Sequence, residues 1–338
     1  MLESVDPAVV GLSKERLTHI TSWLEAQVAD GKLAGASALI ARRGKVAYLQ
    51  SAGFADRENG KLMDADTIVR IYSMSKSVTT VAAMMLYEQG CFQLDDPVAK
   101  YLPEFAETPV WDGGDAPITA VSAQQAPMQV KHLMNHTSGL TYGFMSTTPV
   151  DAQYRDREIE FQSRSESLAD IVTRLARIPL LCQPGTQWNY SVATDVLGRL
   201  VEVWSGMSLA AFFQQRIFAP LGMTDTGFSV PEQGQDRFAA LYAPAVGGDM
   251  STVGSASATV PQDQRGGLKL MEGSSQSVYF TEPLSHSGGG GLVGTIGDYA
   301  RFCQMLVNLG ELEGERLLSP TTVRYMRTHQ LPNNSDMA

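Results

Sequence analysis

Residues 71–90 read IYSMSKSVTTVAAMMLYEQG, a short polar cluster that runs directly into an apolar segment. The segment from Met74 to Glu88 predicts a helix, with Gly90 as its left-handed stop. Two serines and a lysine, Ser73, Ser75 and Lys76, stand where that helix begins. Ser73 and Lys76 are three residues apart, so on a helix they share one face and the hydroxyl can meet the amine. Of the eight lysines in the chain, only Lys76 has a serine three residues before it. A solvated lysine fits poorly at the head of VTTVAAMML, which is apolar on nearly every face. Serine becomes a nucleophile when a neighbour takes its proton, and a lysine can do so. The free N–H groups at the helix start can also stabilise an oxyanion on a carbonyl attacked there.

Outward from this helix, the N-terminal side reads as strands. Leu17, Ile20, Leu24 and Val28 recur at helical spacing behind a Ser13 cap, predicting a helix from Ser13 to Asp30. ASALIAR and KVAYLQSAGFA then flank Arg43-Gly44, which predicts a β-hairpin. The middle of the chain reads as mostly helical: Val130 to Asn135, Leu168 to Arg177, Ala193 to Trp204 and Leu209 to Phe218, with Pro103, Pro109, Pro149, Pro179 and Pro184 breaking the loops. Gly247 to Ser277 is rich in Gly and Ser and reads as an exposed loop. Two last helices are expected near Asp298 to Leu309 and Pro320 to Thr328. Strands first and helices afterwards give an α+β class, organised as a sheet domain from 1–93 and 229–338 and a mainly helical domain from 94–228.

Composition removes several function classes. With 338 residues, 43% of them hydrophobic, the chain can bury a large core. Its net charge of -10, without a basic run, argues against nucleic-acid binding. The three cysteines, Cys91, Cys182 and Cys303, are far apart and read as buried thiols in a reducing compartment. No apolar run approaches the roughly 18 residues that span a bilayer, and MLESVDPAVVGL lacks the pattern of an export signal, so the expected location is the cytoplasm with no membrane partner. Oligomeric state is not readable.

A second candidate lies in Trp188-Asn189-Tyr190-Ser191, between the Pro184-Gly185 turn and the helix ATDVLGRLVEVW. From that position a tyrosine can carry a proton to or from a Ser/Lys pair. Other signals lead elsewhere. Gly289 to Gly294 fits Gly-x-Gly-x-x-Gly, but no βαβ unit surrounds it. His132 and His136 have helical metal spacing, but no nearby Glu or Cys completes a site. The Gly-x-Ser-x-Gly elbow of α/β-hydrolases is absent.

Five blocks occur in order: Ser73-x-x-Lys76, LMNHTSGL (Leu133 to Leu140), PGTQWNYSVATDVLGRLVE (Pro184 to Glu202), PLGMTDTGF (Pro220 to Phe228) and SGGGGLVGTIGDYARF (Ser287 to Phe302). Together, over about Ile71 to Met326, they resemble the serine β-lactamase and penicillin-binding-protein superfamily, most of all the class C β-lactamase-like esterases called family VIII carboxylesterases. The resemblance implies a β-lactamase/transpeptidase-like fold, an antiparallel sheet flanked by helices plus a helical domain. It implies Ser73 as the acylated nucleophile, Lys76 as its partner base and Tyr190 as general base and acid. It also implies that Tyr142 and a glycine strand from Gly288 to Gly291, with Gly289 and Gly290, flank the acyl pocket.

The sequence departs from the family pattern twice. Class C lactamases usually read Tyr-x-Asn where this chain has Tyr190-Ser191-Val192, which matches the esterase branch. The third family motif, a late Lys-Thr-Gly, Trp-x-Gly or His-x-Gly strand that supplies an oxyanion donor, is not met before Ala338; His286-Ser287-Gly288 matches only literally, inside the glycine block. The resemblance therefore implies a further C-terminal segment. The expected function is a serine carboxylesterase that hydrolyses small acyl esters through acyl-Ser73, without metal or organic cofactor. The alternatives are a β-lactamase or D-Ala-D-Ala peptidase, an acyltransferase on the same site, or a binding protein of this fold that has lost turnover.

Overall fold

The computed structural model describes residues 2–145, 147–245 and 267–332, and these form two compact units. The first comprises residues 1–70, 218–282 and 293–308; the second comprises 71–217, 283–292 and 309–338.

The first unit is built on the expected hairpin. Strands Gly35–Arg42 and Lys45–Asp56 pair antiparallel, and the short strand Lys61–Leu62 extends them to three. The turn works because Arg43 and Gly44 both take positive φ, 56° and 76°, the backbone a two-residue hairpin turn requires. Helix Lys14–Ala29 starts where Ser13 Oγ accepts the Arg16 N–H, and it packs with Ile296–Val307 on this sheet. A second core gathers Ile68, Val230, Phe238, Tyr279 and Val293. At its edge the Arg70 guanidinium lies 4.3 Å from the Phe238 ring centroid and pairs with Glu272 at 2.8 Å.

The stretch read as an exposed loop needs correction where it is described. Residues 247–266 lie outside the described residues, but Leu268–Glu272 is a strand, antiparallel to Leu241–Pro244. Its middle side chains, Lys269, Leu270 and Met271, are exposed, so backbone pairing holds it and no alternation marks it in the sequence.

The second unit centres on helix Ala193–Ser205, whose residues from Ala193 to Leu197 are all buried. Helices Ser75–Glu88, Val130–Met134, Leu168–Leu175 and Leu209–Phe213 pack around it. The last of these continues as a π-turn, Gln214–Phe218. One helix was not foreseen: Pro149–Asp156, capped by Thr148 and Asp151 in a reciprocal box. No single described helix is long and apolar enough to cross a membrane.

Candidate active site

Every candidate catalytic residue falls in the second unit. The chain leaves Val69–Arg70 and turns sharply at Tyr72, whose φ of 43° is costly for a residue with a large side chain, about 1–3 kcal/mol. A 3₁₀ turn, Tyr72–Met74, then feeds helix Ser75–Glu88. This turn separates the two serines. Ser73 is exposed, whereas Ser75 is fully buried and its Oγ accepts the Leu292 N–H at 3.1 Å. The buried serine fastens the helix; the hydroxyl of the other is exposed.

Two side chains reach Ser73. The Tyr190 hydroxyl donates to Ser73 Oγ at 2.6 Å, and Lys76 Nζ reaches the same oxygen at 3.3 Å. Lys76 Nζ also donates to the Gly289 carbonyl at 2.6 Å and to the Tyr142 hydroxyl at 3.0 Å. It lies 4.8 Å from the Tyr190 ring centroid and 5.4 Å from that of Tyr142, over rings whose faces favour a cation. Burial, reinforced by Asp195 and Tyr190, pushes the Tyr142 phenol above its ordinary range, so Tyr142 stays protonated. The structure thus brings Ser73, Lys76, Tyr190, Tyr142 and Gly289 together. At Gly290 there is room for a side chain: a Cβ built there meets nothing nearer than the backbone of Tyr72, the residue before Ser73, at 3.8 Å.

Tyr190 sits on a loop, yet its position is fixed by main-chain hydrogen bonds. The 136–141 segment runs beside 181–192, joined by Asn189 N–H to His136 O at 2.8 Å, Gly185 N–H to Thr137 O at 2.7 Å, Leu181 N–H to Gly139 O at 2.7 Å and Val192 N–H to Thr141 O at 3.2 Å. The Asn189 side chain adds a bond to the Leu140 carbonyl at 2.8 Å. This is the physical content of the HTSGL block: it is the strip against which the tyrosine loop is laid. Gly139, at φ 83°, has no room for a side chain, since a Cβ would lie 2.3 Å from the Cys182 carbonyl. His136 closes the strip. Its Nδ1 bonds Ser191 Oγ at 3.2 Å and its ring lies 5.1 Å from that of Tyr190. Burial, with help from Lys76, lowers its pKa to about 4, so the ring is neutral near pH 7. Among the described residues no cluster of His, Cys, Asp and Glu could hold a metal ion.

The glycine block is a turn over Gly288–Gly290, not the strand the resemblance implied; only Val293–Gly294 is strand. Successive glycines there turn the backbone too tightly for a ladder, and buried side chains take the ladder's place. Thr79 Oγ1 donates to Gly288 O at 2.7 Å. Asp195 accepts the Gly289 N–H at 2.9 Å and the Ser287 hydroxyl at 2.5 Å. The Gly289 peptide unit is therefore gripped from Asp195 on one side and used by Lys76 on the other. A Cβ at Gly289 would lie 2.4 Å from Asp195 Oδ2, which is why that position has none. His286-Ser287-Gly288 belongs to this turn and not to a late strand.

Asp195 is the residue that sequence reasoning missed. It is 2% exposed, and burial raises its pKa against the opposing pull of Ser287, Lys76 and the Gly289 N–H. Its one visible signal is a carboxylate in the first turn of ATDVLGRLVEVW, on an otherwise apolar face.

Ser73, Lys76 and Tyr190 thus meet at one serine oxygen beside the start of helix Ser75–Glu88. The family model for β-lactamases matches residues 20–336, and the chain belongs to that family. Esterase EstB of Burkholderia gladioli is 32% identical over 307 residues, covering 88% of this chain and 72% of EstB. Among solved structures, EstCE1, a hydrolase with promiscuous acyltransferase activity, superposes with a TM-score of 0.72 at 30% identity, over 93% of this chain and 77% of that one. Simvastatin synthase (LovD) of Aspergillus terreus does so with a TM-score of 0.69 at 27% identity, over 92% and 72%. These neighbours bear out the α+β, β-lactamase/transpeptidase-like fold.

Proposed function

We propose that this chain is a serine carboxylesterase acting on small acyl esters through a covalent acyl-Ser73 intermediate. The observation that carries the reading is the contact of the Tyr190 hydroxyl and Lys76 Nζ with one serine oxygen, at 2.6 and 3.3 Å. As Ser73 Oγ bonds to the ester carbonyl carbon, its proton passes to the Lys76–Tyr190 pair. Collapse of the tetrahedral adduct breaks the bond to the alcohol oxygen, which takes a proton from Tyr190. Water then enters, gives one proton to the same pair and bonds to the acyl carbon; as the acyl C–Oγ bond breaks and the acid leaves, the pair returns the proton to Ser73 Oγ. Lys76, held by Gly289 and Tyr142, is kept within reach of the Ser73 oxygen while these protons move.

Two observations favour an ester over a β-lactam. EstB, an esterase, is among the relatives, and Val192 is 3% exposed, so the third residue of the tyrosine motif is packed into the unit and presents no amide to a substrate. EstCE1, a hydrolase with promiscuous acyltransferase activity, supports a second outcome at the same acyl-enzyme, transfer to an alcohol in place of water.

The test is intact mass spectrometry after a fluorophosphonate probe, together with turnover of p-nitrophenyl acetate. One adduct on the wild type, lost in Ser73→Ala with loss of turnover, is the expected result. A folded protein that takes no adduct and turns over no ester sinks the proposal.

A further inference from the structure

The segment Trp188-Asn189-Tyr190 alternates its side chains. Asn189 turns its amide to the Leu140 carbonyl at 2.8 Å, while the rings of Trp188 and Tyr190, two residues apart, come together. Their rings lie 6.4 Å apart between centroids and only 28° from parallel. Tyr190 has two further ring neighbours, Tyr142 at 5.3 Å and His136 at 5.1 Å. Both have polar tasks inside the unit, Tyr142 with Lys76 and His136 with Ser191. Trp188 is half-buried beside the tyrosine whose hydroxyl touches Ser73, and its indole meets the His136 ring edge-on at 6.4 Å between centroids.

The geometry points to Trp188 as the residue that recognises the alcohol portion of the ester, and to aryl or arylmethyl alcohols as the class it takes. The inference rests on the proposed esterase reading. In that reading the alcohol oxygen receives its proton from Tyr190 as the acyl C–O bond breaks. The oxygen must then come within hydrogen-bond reach of that hydroxyl, and the group it carries falls among the neighbours of the Tyr190 ring. A flat apolar group can lie against the indole in the offset geometry that aromatic pairs favour, displacing water from both faces. A short aliphatic alcohol leaves the indole wet. Tyr142, with Phe144 stacked on it at 4.6 Å, meets the Tyr190 ring at 5.3 Å but is engaged by Lys76 through its hydroxyl.

The experiment compares kcat/KM for benzyl acetate and ethyl acetate, which give the same acetyl-Ser73 and release alcohols of similar acidity. Ethyl phenylacetate against ethyl acetate serves as the acyl-side control. Wild type should favour benzyl over ethyl acetate by about tenfold, and Trp188→Ala should remove about tenfold of that ratio, with Trp188→Phe restoring most of it and the acyl-side ratio changing less than about twofold. A wild type without the benzyl preference overturns the assignment, whether or not the variants fold. So does a ratio unchanged in Trp188→Ala, or one that falls equally on the acyl side. Fluorophosphonate labelling accompanies each measurement: a Ser73 adduct without a Trp188 effect overturns only this inference, whereas no adduct on the wild type overturns the esterase reading and this inference together.

Discussion

Lys76 Nζ lies 2.6 Å from the carbonyl oxygen of Gly289, and the N–H of that same glycine is held 2.9 Å from Asp195. One residue without a side chain thus connects the site's cation to a buried carboxylate, through main-chain atoms alone.

That connection makes neighbouring glycines unequal. At Gly289 an added Cβ meets Asp195 at 2.4 Å, while at Gly290 the nearest atom is 3.8 Å away. Gly289→Ala should push Asp195 aside, displace the carbonyl from Lys76 and cut kcat by about 10²-fold or more, with a clear fall in Tm. Gly290→Ala should change stability by no more than about 0.5 kcal/mol. Thermal melts of the two variants decide it, and equal losses would refute the role given to Asp195.

Tyr190→Phe removes the hydroxyl that touches Ser73 while keeping the ring among His136, Trp188 and Tyr142. Loss of a positioned acid–base group costs about 10²–10⁴ in rate. Single-turnover kinetics on a p-nitrophenyl ester should show acylation slowed on that scale with little change in Tm. A rate within threefold of wild type would remove Tyr190 from the chemistry.

Ser75→Ala tests the second serine. Its Oγ accepts the buried Leu292 N–H at 3.1 Å, and leaving that donor unmatched costs about 1–3 kcal/mol. The variant should melt lower yet still take the probe on Ser73. Failure of labelling in a protein with wild-type stability would reverse the division of labour between the two serines.

His136 gives a pH signature. In the unfolded chain it protonates near 6.5, but in the folded protein burial and then Lys76 hold it to about 4. Between those values the unfolded state binds more protons, so stability is present above about 6.5 and is lost as pH falls toward 4. His132, lowered to about 4 by burial and then by Lys131, acts in the same direction. His136→Asn should flatten the fall of Tm between pH 6.5 and 5, because Asn tolerates the φ of 58° found there and does not titrate. An unchanged slope would show that His136 is not one of the groups responsible.

Local signals in the sequence were legible where a residue's role is set by its near neighbours. Ser13 caps a helix three residues on, Arg43-Gly44 closes a hairpin, and Ser73 and Lys76 meet across one helical turn. Thr148-Pro149 with Asp151 is an equally local signal, a capping box after a short loop, and it was passed over because the proline read only as a breaker. What was not legible is long-range. Asp195 and Gly289 are separated by 94 positions, and no spacing rule connects a carboxylate on one helix to a particular peptide in a glycine run. The strand Leu268–Glu272 was hidden for a different reason, since it is held by its main chain and shows no buried face.

The strip joining 136–141 to 181–192 has a consequence for how this protein can change. Loops ordinarily absorb inserted or deleted residues at little cost, because each end is anchored and the middle is free. Here each carbonyl from His136 to Thr141, except that of Ser138, is engaged by the facing segment. One residue gained or lost around Tyr190 would break the bonds of Asn189 and Val192 to His136, Leu140 and Thr141, and carry the phenol away from Ser73. By secondary structure this is a loop, but in the length variation it can accept it behaves as a fixed element.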